Sequence, residues 1–212
     1  MKLFLDTADV KSVKARLSTG LISGITTNPT LIFKSGKHPQ TVYQELIKLG
    51  IDDISMEVMG DSEDELFKNA MGHVKTYAEK ATIKLPCTID GLKACKRLSA
   101  INVRTNVTLI FSPAQAILAS LAGATYISPF IGRMDDNSLD GMKLINDISN
   151  TLRSDTKILA ASIRDPQSVG TAFALGADIC TVPVDVFDRM YNHVLTDRGL
   201  EQFERDNAAT SN

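Results

Sequence analysis

Lys84 sits inside Ala81-Thr82-Ile83-Lys84-Leu85-Pro86-Cys87, a short apolar, β-branched run that reads as a buried strand. A lysine in such a strand must find a counter-ion, reach water with its tip, or lose its charge. The uncharged amine is a nucleophile that attacks carbonyl carbon and forms a Schiff base. A free lysine titrates near 10.4, which leaves about 0.04% as amine at pH 7. Burial or neighbouring cations can bring such a group to about 7–8, and the amine fraction then rises several-hundred-fold. A second charge, Glu57, also lies within an apolar run, residues 54–59. Two unpaired buried charges would be costly, so Glu57 and Lys84 make either a structural ion pair or two parts of one active site.

Other polar residues fall near the ends of apolar runs. They are Asp6-Thr7, Thr26-Thr27-Asn28-Pro29, Asn106 and Thr108, Ser128 and Arg133, Ser162 and Arg164, and Thr181 and Asp185. Taken singly, most Asp, Ser and Thr in such places are helix caps. Asp6 and Glu57, with Lys84 and two late arginines, are harder to explain that way. Arg133 and Arg164 could clamp a phosphate bidentately while Ser162 adds a hydroxyl, or either could be an ordinary surface charge.

The elements that must position these residues alternate from end to end. Strand-like runs cover residues 3–7, 24–27, 54–59, 82–86, 104–111, 125–131, 157–163 and 178–182. Between them, helical spacing of apolar residues covers 9–17, 39–49, 62–78, 91–98, 113–122, 141–152, 166–175 and 184–194. Acids load the helix start at Asp61-Ser62-Glu63-Asp64-Glu65, and Ser112-Pro113 and Asp165-Pro166 place a cap before a proline. Gly50, Gly123 and Gly176 close helices just before the next strand.

About eight βα units of roughly 26 residues each favour a parallel sheet closed into a (β/α)8 TIM barrel, whose catalytic groups gather at the C-terminal ends of the strands. An open doubly wound sheet is the alternative, but no GxGxxG follows the first strand. The expected organisation is one barrel domain over residues 1–212, with 197–212 as a C-terminal tail helix. Leu200 and Phe203 would anchor that tail on its own barrel or on a neighbour.

Composition narrows the function classes. Net charge is −2 with no basic block, which gives a nucleic acid or an anionic membrane no electrostatic support. Three cysteines without CxxC spacing read as reduced thiols. The N-terminus meets Asp6 too early for a signal peptide, and no apolar run nears the roughly 18 residues of a membrane span. A cytoplasmic location is expected. His38, His73 and His193 are scattered, without HxH or HExxH, which disfavours a metal-dependent aldolase. Residues 136–147 resemble a calcium loop in spacing, but Lys143 and Asp147 depart from its pattern.

Several segments together resemble the transaldolase family. They are Leu3-Phe4-Leu5-Asp6-Thr7-Ala8, Gly24-Ile25-Thr26-Thr27-Asn28-Pro29-Thr30 and Ile83-Lys84-Leu85-Pro86, then Asn106-Val107-Thr108-Leu109-Ile110-Phe111-Ser112, Ser128-Pro129-Phe130-Ile131-Gly132-Arg133 and Ala160-Ala161-Ser162-Ile163-Arg164. Length is similar to the small subfamily that includes fructose-6-phosphate aldolases. The resemblance implies a (β/α)8 barrel with a Schiff-base lysine on the fourth strand and no metal or other cofactor.

It further implies that Lys84 forms the Schiff base with the ketose C2 carbonyl and that Asp6 exchanges the proton of carbon–carbon cleavage. Glu57 and Thr108 would hold and activate a water. Asn28, Asn106 and Ser128 would bind hydroxyls of a dihydroxyacetone unit, and Arg133, Arg164 and Ser162 the phosphate of a sugar-phosphate substrate. Fructose-6-phosphate aldolases carry glutamine and tyrosine where this chain has Glu57 and Phe130. A phenylalanine there leaves the enamine waiting for an acceptor aldehyde, so the expected reaction is transfer. The alternatives are an aldolase that releases free dihydroxyacetone and a non-catalytic sugar-phosphate-binding barrel. The subfamily also implies a homo-oligomer, a pentamer or a decamer.

Overall fold

Eight parallel strands pair in chain order, and the last closes on the first. In this computed structural model, which describes residues 1–210, they are β1 (Lys2–Asp6), β2 (Ile22–Thr26), β3 (Ile54–Glu57), β4 (Ala81–Pro86), β5 (Thr105–Ile110), β6 (Tyr126–Pro129), β7 (Lys157–Ala160) and β8 (Ile179–Val182). Helices cross between them: α1 (Val10–Leu17), α2 (Pro29–Ser35), α3 (Pro39–Lys48), α4 (Glu63–Tyr77), α5 (Ile89–Ser99), α6 (Pro113–Leu121), α7 (Ile131–Asp135), α8 (Gly141–Thr151), α9 (Pro166–Ala174), α10 (Val184–Arg189) and α11 (Val194–Thr210). This is a (β/α)8 barrel with an added C-terminal helix.

Local chemistry explains the element boundaries. Side chains of Ser62, Ser112 and Asp165 accept hydrogen bonds from the amides of Glu65, Gln115 and Ser168, which caps α4, α6 and α9. Two short helices, α2 and α7, stand where no helix was expected. At seven and five residues they are too short to show an apolar period. The strands expected over 54–59 and 157–163 stop at Glu57 and Ala160. Beyond the latter, Ser162 has a φ of 59°, a left-handed conformation outside the β region that interrupts regular pairing.

The helix expected over 184–194 breaks at Arg189, and the tail helix begins at Val194 rather than 197. Residues 211 and 212 of the expected tail lie outside the described residues. None of α11 is buried, and Leu200 and Phe203 are exposed. The tail therefore does not dock on its own barrel.

The barrel interior is filled below the mouth. Phe4, Tyr126, Leu159, Ala161 and Ile179 form an apolar cluster, with Phe130 packed on it. Gly24 faces Phe4 across the β1–β2 pair, and a Cβ there would lie 2.6 Å from the ring, so only glycine fits. Towards the opposite end, Asp53 accepts hydrogen bonds from Thr82 Oγ1 (2.7 Å), Tyr126 Oη (2.7 Å) and Arg104 (3.0 Å). Burial, and then the Asp53 charge, push the Tyr126 phenol well above its usual range. These bonds satisfy a buried carboxylate and tie four strand-bearing segments together.

The calcium-like stretch has other employment for its acids. Asp136 pairs with Arg164, Asp140 caps α8, and Asp147 pairs with Lys143. Among the described residues no group of three or more His, Cys, Asp or Glu is arranged to hold a metal ion. Among them, too, no helix is long and apolar enough to cross a membrane.

Candidate active site

Lys84 projects from β4 and is 5% exposed. Its Nζ donates to the Thr27 carbonyl oxygen and to Glu57 Oε2, each at 3.1 Å. An ammonium carries three donors, so one direction remains for a ligand. Parallel register sets Glu57 of β3 directly beside Lys84, and Asn106 of β5 on its other side. Residues directly opposite in adjacent strands point to the same face. All three therefore reach the interior together.

The ring of polar groups continues into β6. Asn106 Nδ2 donates to Ser55 Oγ (3.2 Å), and Ser128 Oγ donates to Asn106 Oδ1 (2.7 Å). Thr108 pairs with Pro86, one step nearer the mouth on the same face as Asn106. Its Oγ1 is buried and has no hydrogen-bond partner among the described residues. The next residue, Leu109, has a φ of 60°, and the β5–β6 register shifts between Val107 and Ile110. Such a bulge re-aims side chains at a sheet end, and its strain is of order 1–3 kcal/mol.

Asp6 closes the ring from β1. Its Oδ1 accepts from Thr26 Oγ1 at 2.7 Å, and Thr26 Oγ1 lies 2.6 Å from Thr181 Oγ1. Burial pushes the Asp6 carboxyl above its ordinary range. The Thr26 bond and the Lys84 charge oppose that rise, and the Glu57 charge adds to it. A carboxyl held this way is suited to exchanging protons.

Two adjoining cavities open over Lys84. A pocket of about 140 Å³ is bounded by Asp6, Thr26, Ser128, Ser162 and Thr181. A wider one of about 420 Å³ is bounded by Glu57, Thr108 and Leu109. Asn28, Lys84, Phe130 and Arg133 line both. The larger groove beside them, about 810 Å³, runs past Tyr43, His73 and Tyr77 and meets the site only at Asn28, Pro29 and Glu57. Lys84, Asp6 and Thr108 do not line it, so the candidate site is the pair of smaller pockets.

Each residue anticipated from sequence can now be placed. Asp6, Asn28, Glu57, Lys84, Thr108, Ser128, Phe130, Arg133 and Ser162 line these pockets. Asn106 sits behind Ser128 and is fully buried. Asn28 also caps α2, its Oδ1 accepting from Leu31 N at 2.9 Å, which leaves its amide donors for a ligand. Arg133 lies 4.8 Å over the Phe130 ring and has no carboxylate partner among the described residues. Arg164 differs. Both its terminal nitrogens bond the Asp136 carboxylate, and it lines neither pocket. Gly132 makes this crossing possible, because a Cβ there would lie 2.3 Å from the Ser162 carbonyl oxygen and 2.7 Å from Arg164 Nε.

Four contributors had no role assigned from sequence: the Thr27 carbonyl, the Thr26 and Thr181 hydroxyls, and Ser55. Thr26-Thr27 and Thr181 stand at strand ends, but a hydroxyl there has the same signature as a helix cap.

The whole chain can be set beside known proteins. Residues 3–212 match the transaldolase/fructose-6-phosphate aldolase family. This chain belongs to that family. A probable transaldolase of Caulobacter vibrioides is 47% identical over 213 residues, covering 99% of this chain and 98% of its own. Another, of Coprothermobacter proteolyticus, is 46% identical over 209 residues, covering 97% and 96%. Among solved structures, an inosine 5′-monophosphate dehydrogenase of Legionella pneumophila superposes with a TM-score of 0.63 at 17% identity, covering 88% of this chain and 58% of that one. A thiamine phosphate pyrophosphorylase of Pyrococcus furiosus gives 0.57 at 18%, covering 85% of each. At such identities these two speak for the barrel alone. Membership of the transaldolase/aldolase family makes this an enzyme of the transaldolase or aldolase kind, and sugar-phosphate substrates fit that family.

Proposed function

We propose that this chain, a single barrel domain with a helical tail, is a transaldolase. It would move a dihydroxyacetone unit from sedoheptulose 7-phosphate or fructose 6-phosphate to glyceraldehyde 3-phosphate or erythrose 4-phosphate. The observation that carries this reading is Lys84 itself. It is a strand lysine buried at the floor of a polar cavity, 3.1 Å from a carboxylate, with a second carboxyl in the same cavity.

The steps follow from the residues. Lys84 passes a proton to Glu57 and attacks the ketose C2 carbonyl as an amine. The carbinolamine loses its hydroxyl as water, with Glu57 and a water held by Thr108 supplying the proton. Asp6 then takes the proton of the C4 hydroxyl, the C3–C4 bond breaks, and its electron pair is held as an enamine on Lys84. The aldose phosphate formed from C4 onward leaves, an acceptor aldehyde enters, C3 attacks it, and Asp6 returns the proton to the new hydroxyl. Hydrolysis of the imine frees the product and Lys84. Asn28, Asn106 and Ser128 orient the dihydroxyacetone hydroxyls, while Arg133, Ser162 and Arg164 serve the phosphate. The amine supplies the electron sink, and no metal or other cofactor enters these steps.

Phe130 favours transfer. It presents an apolar ring to both pockets and no proton donor to the enamine. The enzyme is read as a cytoplasmic homo-oligomer, a pentamer or decamer, and α11 offers exposed Leu200 and Phe203 for that assembly. Parallel assays test the reaction. Erythrose 4-phosphate should be produced from sedoheptulose 7-phosphate and glyceraldehyde 3-phosphate, with almost no free dihydroxyacetone. Release of dihydroxyacetone as fast as transfer would assign an aldolase instead.

A further inference from the structure

Asp6 rests on a pair of threonines that neither the cleavage step nor the family description requires. Thr26 Oγ1 touches both Asp6 Oδ1 (2.7 Å) and Thr181 Oγ1 (2.6 Å). Each threonine is 3% exposed, so water does not readily replace these bonds. They come from β2 and β8, the two strands that flank β1, and Asp6 stands opposite Thr26 in register.

A hydroxyl carries one proton and accepts on its lone pairs. An ionised Asp6 can only accept. Thr26 must then give its proton to Asp6, and the bond between the threonines must run from Thr181 to Thr26. A protonated Asp6 has a proton to give. When it donates to Thr26, the Thr26 proton turns to Thr181, and the chain of donors reverses.

We propose that Thr26 and Thr181 form a reversible hydroxyl relay that holds the Asp6 carboxyl in one orientation in both of its protonation states, which makes Thr181 a positioning residue for the Asp6 proton exchange. The inference rests on the reading of Asp6 as the acid–base group. No proton is gained or lost by the relay. The hydroxyls only rotate: the acid form of the free enzyme carries its proton on Oδ1 towards Thr26, whereas the proton taken from the substrate oxygen sits on Oδ2, the oxygen not bonded to Thr26, until it returns to the product oxygen.

Other charges also face Asp6. Lys84 from β4 and Glu57 from β3 act on its charge, and Arg133 from α7 lines the same pocket. They are unchanged when a threonine is replaced, so they cancel in a comparison of variants.

The two threonines therefore act on Asp6 with opposite sign. Thr26→Val removes the donor to the carboxylate, which disfavours the ionised form. Thr181→Val leaves the Thr26 proton without an acceptor only when Asp6 is protonated and donating, which disfavours the neutral form.

The experiment is the pH profile of kcat/KM for fructose 6-phosphate cleavage in the presence of acceptor. The acid limb, where Asp6 must be ionised, should move up by about half a unit or more in Thr26→Val and down by a similar amount in Thr181→Val. Thr181→Ser should restore the wild-type limb. If Thr181→Val fails to fold, Thr181→Ala gives the same comparison. Shifts of the same sign, no shift at Thr181, or no recovery in Thr181→Ser would overturn the relay. Asp6→Asn separates the two readings: activity within tenfold of wild type would reject Asp6 itself, whereas its loss beside unshifted threonine variants would reject only the relay.

Discussion

Lys84 and Glu57 stand opposite each other in the β3–β4 register, with ammonium and carboxylate 3.1 Å apart at the floor of an open cavity. An ion pair sealed in the core would be a poor source of stability, because desolvation offsets most of its attraction. This one is not sealed. Glu57 is partly exposed to the pocket, so a ligand entering the cavity can reach the pair. Its position makes more sense for chemistry than for folding.

The two arginines should contribute unequally to phosphate binding. Arg133 is free of carboxylates among the described residues, whereas Arg164 already has both terminal nitrogens on Asp136. Arg133→Ala is expected to raise KM for phosphorylated substrates about 10–100-fold and to change KM for unphosphorylated analogues little. Arg164→Ala should raise it less than about tenfold, since an exposed pair must first yield. Steady-state kinetics on both substrate classes check this, and equal losses on the two classes would place the anion elsewhere.

Asp6 should weaken the fold when it ionises. Its carboxyl is raised in the folded chain, so the folded state binds the proton more tightly than the unfolded one. Stability then falls as pH rises from the unfolded value, near 3.9, through the folded one, and the loss is complete above both. Asp6→Asn should melt higher than wild type at neutral pH, by about 2–4 °C for each kcal/mol relieved. The gain should vanish near pH 3, where both forms are neutral. Calorimetry across that range is the check, and a gain independent of pH would contradict it.

Most of the barrel was legible in the sequence because its strands are apolar runs, each separated from the next by a helix long enough to show its apolar period. Lys84 and Glu57 lie 27 residues apart, one βα unit, so their meeting follows from the repeat. Long-range partners carry no such signal. Thr26 and Thr181 are 155 residues apart, and nothing local marks either as a support for Asp6. Arg164 finds Asp136 across 28 residues, through a five-residue helix too short for periodicity to reveal. Leu109 and Ser162 adopt left-handed backbone that residue type alone does not announce.

The tail is the least embedded element. Leu200 and Phe203, three residues apart on α11, share a face and are exposed. Deleting residues 194–212 should lower the mass seen by light scattering or lower the melting point. An unchanged mass and melting point would show that the helix has no partner.

Phe130 should decide between transfer and release. Phe130→Tyr adds one donor near the enamine with little change in volume. That hydroxyl can place a water that protonates the enamine carbon. Dihydroxyacetone release relative to transfer is expected to rise at least about tenfold, which needs only ~1.4 kcal/mol of differential barrier. A coupled assay of both products measures the ratio, and an unchanged ratio would remove Phe130 as its determinant.

The nucleophile is the centre of the account, and borohydride reduction during turnover of fructose 6-phosphate tests it most directly. Peptide mass mapping should find one reduced dihydroxyacetone unit on Lys84 in the wild type. Lys84→Arg should keep the fold and the charge yet gain no adduct, because guanidinium stays protonated. Its activity should fall at least about a thousandfold. An adduct on another residue, or Lys84→Arg active within tenfold of wild type, would contradict the account.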